Sequence, residues 1–288
     1  MDGIILVNKE KGMTSRDVVN IVSHVCHTKK VGHTGTLDPM ATGLLVICVG
    51  RATKLVEVLT SHQKEYIASM IFGIKTDTKD ITGTIIEQRE THMKSDQIKK
   101  VINNMPTTYQ QEVPIYSAVK INGKKLYEYA RKKEVVTLPT REVTIEKLQI
   151  IDWQEQEQKL TFLTRVSKGT YIRSLVEDIA SHLNTIGTMT ELIRTKVGHF
   201  TLENANTISE VKNNSYKLYS IYEILHEMFE TRIITGELEK KVLNGAKIDN
   251  PEQLETVFFI NEQKDPLALY KKEEDKLKCY KMLKIGIE

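Results

Sequence analysis

The sequence predicts an α+β fold, with a mixed, largely antiparallel sheet flanked by helices and a small β-rich unit at the C-terminal end. Strand-like and amphipathic helical stretches alternate along the chain, but without the regular strand–helix–strand period that a parallel sheet needs. From about residue 230 the pattern changes to short strands separated by turns. The 288 residues are enough for one large domain and a small one, which we place at residues 1–229 and 230–288.

The first elements are well marked. Gly3 to Asn8 form an apolar strand, and Thr14 or Ser15 provides the N-cap of a helix with one apolar face. A glycine-rich loop follows. Residues 44–49 then form a buried strand, and residues 52–60 are expected to be helical.

The remaining elements follow in chain order. We expect strands over 65–74 and 84–88 with a polar turn at 76–83 between them, a helix capped by Ser95 and running to about Met105, mixed strand and helix character over 113–152 with a clear strand at 143–152, a strand over 159–166 and a helix over 171–183. The tail predicts a helix over 236–243 and strands over 256–260, 267–271 and 278–283.

Composition excludes several classes of protein. Hydrophobic and charged contents of 40% and 27% are ordinary for a soluble globular protein, and no apolar run approaches the roughly 20 residues of a membrane span. Three cysteines without a Cys-x-x-Cys pair predict free thiols in a reducing compartment. The eight histidines, His24 and His27 among them, lack the spacing of a metal site. We therefore expect a cytoplasmic protein without a metal site.

The loop at residues 32–43 is the strongest candidate for a catalytic site. Its sequence is Gly-His-Thr-Gly-Thr-Leu-Asp-Pro-Met-Ala-Thr-Gly, and Asp38 is its one acidic residue, just before a buried strand. Its glycines permit close approach of a ligand, and Pro39 stiffens the chain after the acid. A carboxylate held at the edge of a dry core suits nucleophilic or acid–base chemistry. The loop therefore predicts a working carboxylate.

The most basic local segment runs from residue 120 to residue 141. It contains seven basic and two acidic residues, and the tyrosines at 116, 127 and 129 lie just before it or within it. Basic side chains pair with phosphates and aromatic faces stack on bases, so the segment suits single-stranded or looped RNA. Taken alone, a solvated helix with ordinary lysines explains it equally well.

Two further residues could act with Asp38. Lys168 to Arg173 end one strand and begin a helix, so Arg173 is expected at the sheet edge, where an arginine can orient a carboxylate through two hydrogen bonds. Tyr66 lies at the start of a strand. In isolation, a surface arginine and a half-buried packing tyrosine are the more common cases.

In combination, these segments resemble the TruB family of pseudouridine synthases, which in bacteria isomerise the T-loop uridine of transfer RNA. The resemblance spans most of the chain and rests on segments in family order: 32–39 with Ala41 and Gly43, Lys64-Glu65-Tyr66, Thr76-Asp77 with Asp80 and Gly83, 114–120, 123–131, 168–175 and 192–194. The first turn departs from the family's Lys-Pro-x-Gly, because it reads Lys9-Glu10-Lys11-Gly12.

The resemblance implies a role for each site residue and a pseudouridine synthase fold. Asp38 would be the nucleophile toward the uridine, at C1′ or C6, paired with Arg173. Tyr66 would stack on the extruded base and assist the final proton removal. His33 would fill the place that the base vacates in the RNA. The other RNA-binding residues would be Leu192, which lines the pocket, Lys9 and Arg194, which contact backbone, and Tyr171, Lys120, Lys124, Lys125 and Arg131.

The resemblance also implies the partners. No cofactor is required, and the ligand would be the T arm of transfer RNA. Residues 113–142 match the insertion with which stand-alone bacterial enzymes grip RNA, and residues 230–288 resemble a shortened PUA-type RNA-binding domain. Residues 231–288 contain eleven basic and eleven acidic residues, so the tail is not an electrostatic anchor. We expect a monomer without an obligatory protein partner. Two alternatives remain: an RNA-binding chaperone with modification secondary, and a guide-RNA-dependent synthase.

Overall fold

The computed structural model describes residues 1–284, which form nineteen strands and eight helices. The strands are β1 (Gly3–Lys9), β2 (Val31–His33), β3 (Thr42–Val49), β4 (Lys64–Phe72), β5 (Ile74–Thr76), β6 (Ile85–Gln88), β7 (Thr108–Glu112), β8 (Lys120–Ile121), β9 (Lys124–Lys125), β10 (Thr140–Gln154), β11 (Lys159–Val166), β12 (Gly187–Val197), β13 (Phe200–Thr201), β14 (Leu218–Tyr219), β15 (Glu230–Ile233), β16 (Ile248–Asp249), β17 (Thr256–Ile260), β18 (Pro266–Glu273) and β19 (Lys276–Met282). The helices are α1 (Ser15–Val25), α2 (Val56–Thr60), α3 (Ser95–Asn104), α4 (Leu126–Lys132), α5 (Ile172–His182), α6 (Ile208–Lys212), α7 (Ile221–Met228) and α8 (Gly236–Leu243), with 3₁₀ turns at Gly50–Leu55 and Leu202–Asn204.

A ten-stranded mixed sheet runs through the larger part of the protein. Its order is β14-β1-β3-β12-β4-β11-β10-β7, with β2 beside β3 and β13 beside β12. All of these pairs are antiparallel except β12 with β3. The C-terminal unit has its own sheet, in the order β15-β17-β18-β19-β16. The predicted α+β class with a largely antiparallel sheet is confirmed.

Burial of β1 on both of its faces explains why the first apolar run in the sequence is continuous. Ile5 and Val7 pack with α1 and α6 on one face of the sheet, whereas Ile4 and Leu6 pack on the opposite face. A strand covered on both faces needs apolar side chains at every position. Helix α1 is held at its start by a capping box in which Thr14 and Asp17 bond reciprocally.

The C-terminal unit packs directly onto the larger sheet. Phe258 and Leu269 belong to the same hydrophobic cluster as Ile4 and Leu6. At the edge of this cluster Lys281 forms an ion pair of 2.6 Å with Glu57 on α2. The unit therefore shares a core with the body, although the expected domain boundary after residue 229 stays a prediction.

Several expectations need correction. The central strand β12 was not predicted, because its threonines and Glu191 interrupt the apolar pattern. The helices α6 and α7 were also not anticipated. The strand expected over 65–74 ends at Phe72, since Gly73 takes a positive φ of 85° and turns the chain. Ser95 is the first residue of α3 rather than its cap. Within residues 1–284, no helix is both long and apolar enough for a membrane span.

Candidate active site

The loop between β2 and β3 carries Asp38, and hydrogen bonds to neighbouring elements fix it. Ser15, the first residue of α1, accepts from the Leu37 N–H at 2.8 Å and donates to the Leu37 carbonyl at 3.2 Å. The Pro39 carbonyl accepts from the Gly12 N–H at 2.8 Å. Backbone groups on both sides of Asp38 are therefore bound to other segments, so the carboxylate is held on a rigid support.

Two buried cationic side chains also hold this loop through hydrogen bonds to backbone carbonyls. The Lys9 ammonium donates to the carbonyls of Met13 at 2.8 Å and Pro39 at 3.4 Å. Arg194 donates from Nε to the Leu44 carbonyl at 2.7 Å and from Nη2 to the Gly35 carbonyl at 3.1 Å. Both side chains are almost fully buried. Their charges are engaged by the protein's own carbonyls, so this geometry favours loop support, and RNA contact by Lys9 and Arg194 stays a prediction.

The side chains of Arg173 and Asp38 form an ion pair beside this loop. Arg173 lies in the first turn of α5, with Nε 2.9 Å from one Asp38 oxygen and Nη2 3.1 Å from the other. The guanidinium also donates to the carbonyls of Thr78 at 3.2 Å and Tyr116 at 3.0 Å. The Arg173 side chain is 6% exposed and that of Asp38 is 32% exposed. The structure therefore joins two residues 135 positions apart in the predicted two-pronged pair.

Burial raises the pKa of Asp38, and Arg173 opposes that effect. Asp80 raises the pKa of Asp38 further through charge repulsion, while Lys9 lowers it. Asp80 itself is held in the 76–83 turn, where its Oδ1 accepts from the Thr82 N–H and the Thr78 hydroxyl, each at 3.0 Å. Arg173 lowers the pKa of Asp38, but burial and Asp80 outweigh this effect, so the pKa lies above the ordinary value of an aspartate.

A cavity of about 460 Å³ opens beside Asp38. Tyr66 and Leu192 contribute apolar surface to it from the adjacent strands β4 and β12. Tyr171, the N-cap residue of α5, also lines it. Other lining residues are Gly35, Thr36, Leu37, Thr60, Lys64, Tyr116, Ser117, Ala118, Tyr127, Lys168, Gly169, Thr170, Ile172, Arg173 and Arg194. An apolar concavity with a few converging polar groups is typical of a small-molecule binding site.

His33 lies at the end of β2 and does not line this cavity. Its Nδ1 accepts from the Gly35 N–H at 3.2 Å, so Nε2 carries the proton in the neutral ring. Burial, with Arg194 and Arg16 nearby, lowers the pKa of His33. His33 therefore presents a half-buried ring at the start of the 32–43 loop, outside the cavity.

The basic segment reaches the cavity through Tyr127. Lys125 and Arg131 each lie 5.4 Å from the centre of the Tyr127 ring. Lys124 lies 4.2 Å from the Tyr129 ring and pairs with Glu134. The exposed cations of the segment are Lys120, Arg131, Lys132, Lys133 and Arg141. Two of the three predicted stacking tyrosines are thus already in contact with cations of the segment.

Some lining residues lie in the family-like motifs, although the sequence predicts no role for them. Lys64 is buried, donates to the carbonyls of Thr60 and His62, and has its pKa lowered to about 8 by burial and by Arg194. Lys168 and Ser117 also line the cavity. Their presence in short motifs was the available signal, but only the fold brings those motifs together. Within residues 1–284, no group of His, Cys, Asp or Glu is arranged to hold a metal ion.

Comparison with known proteins gives consistent results. Residues 23–172 match the family model described as TruB family pseudouridylate synthase, N-terminal domain, and residues 173–229 match that of the tRNA pseudouridylate synthase B C-terminal domain. The tRNA pseudouridine synthase B of Onion yellows phytoplasma is 40% identical over 283 residues, covering 97% of this chain and 98% of that protein. That of Caldanaerobacter subterraneus subsp. tengcongensis is 40% identical over 256 residues, covering 88% and 89%.

Solved structures share the fold at lower sequence identity. A chain in the structure of an H/ACA RNP bound to a substrate RNA containing 2′-deoxyuridine aligns with a TM-score of 0.71 and 20% identity, over 98% of this chain and 85% of that one. A chain of a Cbf5-Nop10-Gar1 complex aligns with a TM-score of 0.72 and 22% identity, with the same coverage. On the family-model match and the identities of 40%, this chain belongs to the TruB family of pseudouridylate synthases.

Proposed function

We propose that this protein isomerises uridine in transfer RNA to pseudouridine and that its substrate is the uridine of the T loop. The observation that most directly supports this proposal is the Asp38–Arg173 ion pair at the edge of a cavity lined by Tyr66 and Leu192. The relatives at 40% identity are named tRNA pseudouridine synthase B, which supports transfer RNA as the substrate.

The proposed reaction takes place in successive steps. Flipping the uridine out of its stack costs a few kcal/mol, which contacts with the cavity offset. Asp38 then attacks the nucleoside at C1′ or C6, and the bond between N1 and C1′ breaks. The base turns in the cavity, C5 bonds to C1′, and the bond between the Asp38 carboxylate and the nucleoside breaks, which restores the free carboxylate. The proton on C5 leaves and N1 gains a proton, so substrate and product contain the same atoms.

Tyr66 and Leu192 have positioning roles in this scheme. Both line the cavity from neighbouring strands, so the flipped base can stack on the tyrosine ring and contact the leucine. Confinement keeps the detached base close to the sugar while it turns. Tyr66 also assists removal of the C5 proton. Arg173 keeps the carboxylate aimed at the sugar side of the base.

The RNA around the flipped base is held by other parts of the protein. His33 enters the gap that the base leaves, and the exposed cations of residues 120–141 pair with phosphates. Residues 230–288 act as a shortened PUA-like domain that follows RNA shape. The protein acts in the cytoplasm on the T arm without an obligatory protein partner.

A T-arm hairpin incubated with purified protein tests this function. We expect pseudouridine at one loop position by chemical mapping. Asp38→Asn removes the nucleophile at nearly constant volume, so product formation should fall by about 10³-fold or more, while hairpin affinity stays within about threefold. Asp152→Asn, on the exposed part of β10, is the matched control and should keep full activity.

The same experiment separates the alternatives. Full turnover by Asp38→Asn would refute Asp38 as the nucleophile. A chaperone whose main role is refolding would leave RNA-refolding activity intact in Asp38→Asn and show only slow modification by the unaltered protein. A guide-dependent enzyme would leave the bare hairpin unmodified until a guide RNA and protein partners were added.

A further inference from the structure

A buried chain of hydrogen bonds lies behind the N-terminal end of α5. The Tyr109 hydroxyl donates to an Asp178 carboxylate oxygen at 2.6 Å. The Gln111 amide nitrogen donates to the Tyr109 oxygen at 2.9 Å, and the Gln111 carbonyl oxygen accepts from the Tyr171 N–H at 2.8 Å. Gln111 is 1% exposed. These three side chains are not part of the cavity wall, and the proposed chemistry does not use them.

The carboxylate sets the direction of the whole chain. An ionised carboxylate only accepts, so the single hydroxyl proton of Tyr109 goes to Asp178. The Tyr109 oxygen is then free to accept from the Gln111 amide, which turns the amide oxygen toward Tyr171. Burial and the nearby Asp178 charge raise the pKa of Tyr109, so its hydroxyl stays protonated. The Gln111 orientation is thus determined by two residues that lie further from the active site.

This chain of hydrogen bonds ends at the N-cap residue of α5, the helix that carries Arg173. No side chain of its own caps α5, because Tyr171 occupies the cap position. Gln111 on β7 binds the backbone of that residue instead. Ser174 in the same helical turn donates to the Glu112 carbonyl at 2.8 Å. The first turn of α5 is therefore attached to β7 on both sides of Arg173.

We propose that Gln111, oriented by Tyr109 and Asp178, is a positioning residue for pseudouridine formation. It holds the first turn of α5 so that Arg173 meets Asp38 with both nitrogen donors. This inference rests on the proposed function. Without the Gln111 contact the helix start shifts relative to the Asp38 loop, which is fixed by different elements, and the two-pronged pair loosens. Even about 1 Å of misplacement can slow a reaction about 100-fold.

Substituting Gln111→Met removes both hydrogen bonds at nearly constant shape. The matched control is Gln110→Met, the exposed neighbour on β7. Single-turnover rate, KM for the T-arm hairpin, the rate against pH and the thermal midpoint are measured for both variants and for the unaltered protein. We expect Gln111→Met to lower the rate at saturating RNA by about tenfold or more, with KM within about twofold.

The pH profile separates positioning from general stability. The groups that influence Asp38 are Arg173 and Lys9, which lower its pKa, and Asp80, which raises it. Gln111→Met weakens the Arg173 contribution, so the acid limb of the rate profile should move to higher pH by about 0.5 unit or more. A purely structural role lowers the thermal midpoint but leaves the acid limb in place.

The charges around Asp178 are unchanged in this variant. Burial raises the pKa of Asp178, hydrogen bonding from Tyr109 and Gln111 lowers it, and of the nearby charges Lys79 lowers it and Glu177 raises it. If Gln111→Met does not fold, Tyr109→Phe replaces it, because removal of one oxygen leaves the Gln111 amide without its acceptor. The same direction of change in rate and acid limb is expected.

Three results would overturn the proposal. One is a Gln111→Met protein with the rate and acid limb of Gln110→Met. The second is a loss of thermal stability with an unmoved acid limb. The third is a Tyr109→Phe protein, used where Gln111→Met does not fold, that matches the unaltered protein. An unaltered protein that fails to modify the hairpin would instead refute the proposed function, and the positioning role would fall with it.

Discussion

Arg173 meets Asp38 side-on, with Nε 2.9 Å from one carboxylate oxygen and Nη2 3.1 Å from the other. Carbonyls of Thr78 and Tyr116 accept its other bonds. A planar guanidinium fits this set of acceptors, whereas an ammonium group cannot contact both carboxylate oxygens and both carbonyls in the same geometry. The pair therefore holds the carboxylate in one orientation toward the cavity.

Arg173→Lys keeps the positive charge but removes the two-pronged hydrogen bond to the Asp38 carboxylate. We expect the single-turnover rate to fall by about 100-fold or more, because the carboxylate is no longer aimed. We expect the acid limb of the unaltered protein to lie above the ordinary pKa of an aspartate, since burial raises the pKa of Asp38 and the reactive form in the proposed mechanism is ionised. In Arg173→Lys it should move higher still. The control is Arg165→Lys, because Arg165 forms a partly exposed ion pair with Glu65. Equal rates for the two variants would contradict a role for the two-pronged hydrogen bond of Arg173.

Two buried lysines predict an unusual dependence of stability on pH. Burial lowers the pKa of both Lys9 and Lys64 from 10.5 to about 8. Between these values the native state binds fewer protons than the unfolded state, so each lysine's contribution to the free energy of unfolding rises with pH. Relative to Lys64→Met, the unaltered protein should gain about 2 kcal/mol between about pH 7.5 and about pH 10.

Denaturant unfolding at several pH values measures this difference. Lys100→Met, which removes an exposed lysine, serves as control and should leave a difference that changes little with pH. A Lys64→Met curve parallel to that of the unaltered protein would show that the ammonium is solvated in the native state.

Gly43 is required where β3 passes β12. It has a φ of +101°, and an added Cβ would clash with the Arg194 carbonyl oxygen and lie 2.8 Å from the Arg194 nitrogen. Gly12 also has a positive φ, of +88°, but no atom lies within 4 Å of its added Cβ. Gly43→Ala should therefore destabilise by about 2 kcal/mol more than Gly12→Ala, because it adds a backbone clash to the conformational strain. Equal thermal midpoints for the two variants would contradict the close strand contact.

Cations in the basic segment should differ in their contribution to RNA affinity. Arg131 is exposed, while Lys124 is partly buried and pairs with Glu134 over the Tyr129 ring. Arg131→Ala should reduce the slope of log affinity against log salt by about 1. Lys124→Ala should change it less, because part of its charge is already neutralised. Filter binding of the hairpin at several salt concentrations tests this, and a larger effect from Lys124→Ala would refute the ranking.

The parts predicted well were those written in local patterns. The apolar run of β1, the Thr14 cap of α1 and the helix at Gly236–Leu243 were recognisable because capping, amphipathicity and turns act over a few residues. The strand β12 was missed, since Thr188 and Glu191 resemble loop residues until their neighbours β3 and β4 are known. A strand in the middle of the sheet is determined by contacts distant in sequence.

The features of the site can likewise be divided into those that local patterns predict and those that only the fold brings together. The sequence by itself determined the glycine loop with its lone carboxylate, the separate arginine at a helix start and the basic segment, because each motif is contiguous. Only the tertiary structure decided that Arg173 reaches Asp38, that Lys9 and Arg194 turn inward to backbone carbonyls, and that Gln111 holds the start of α5. These relationships depend on burial and on pairing between distant strands, and no local pattern encodes which donor meets which acceptor.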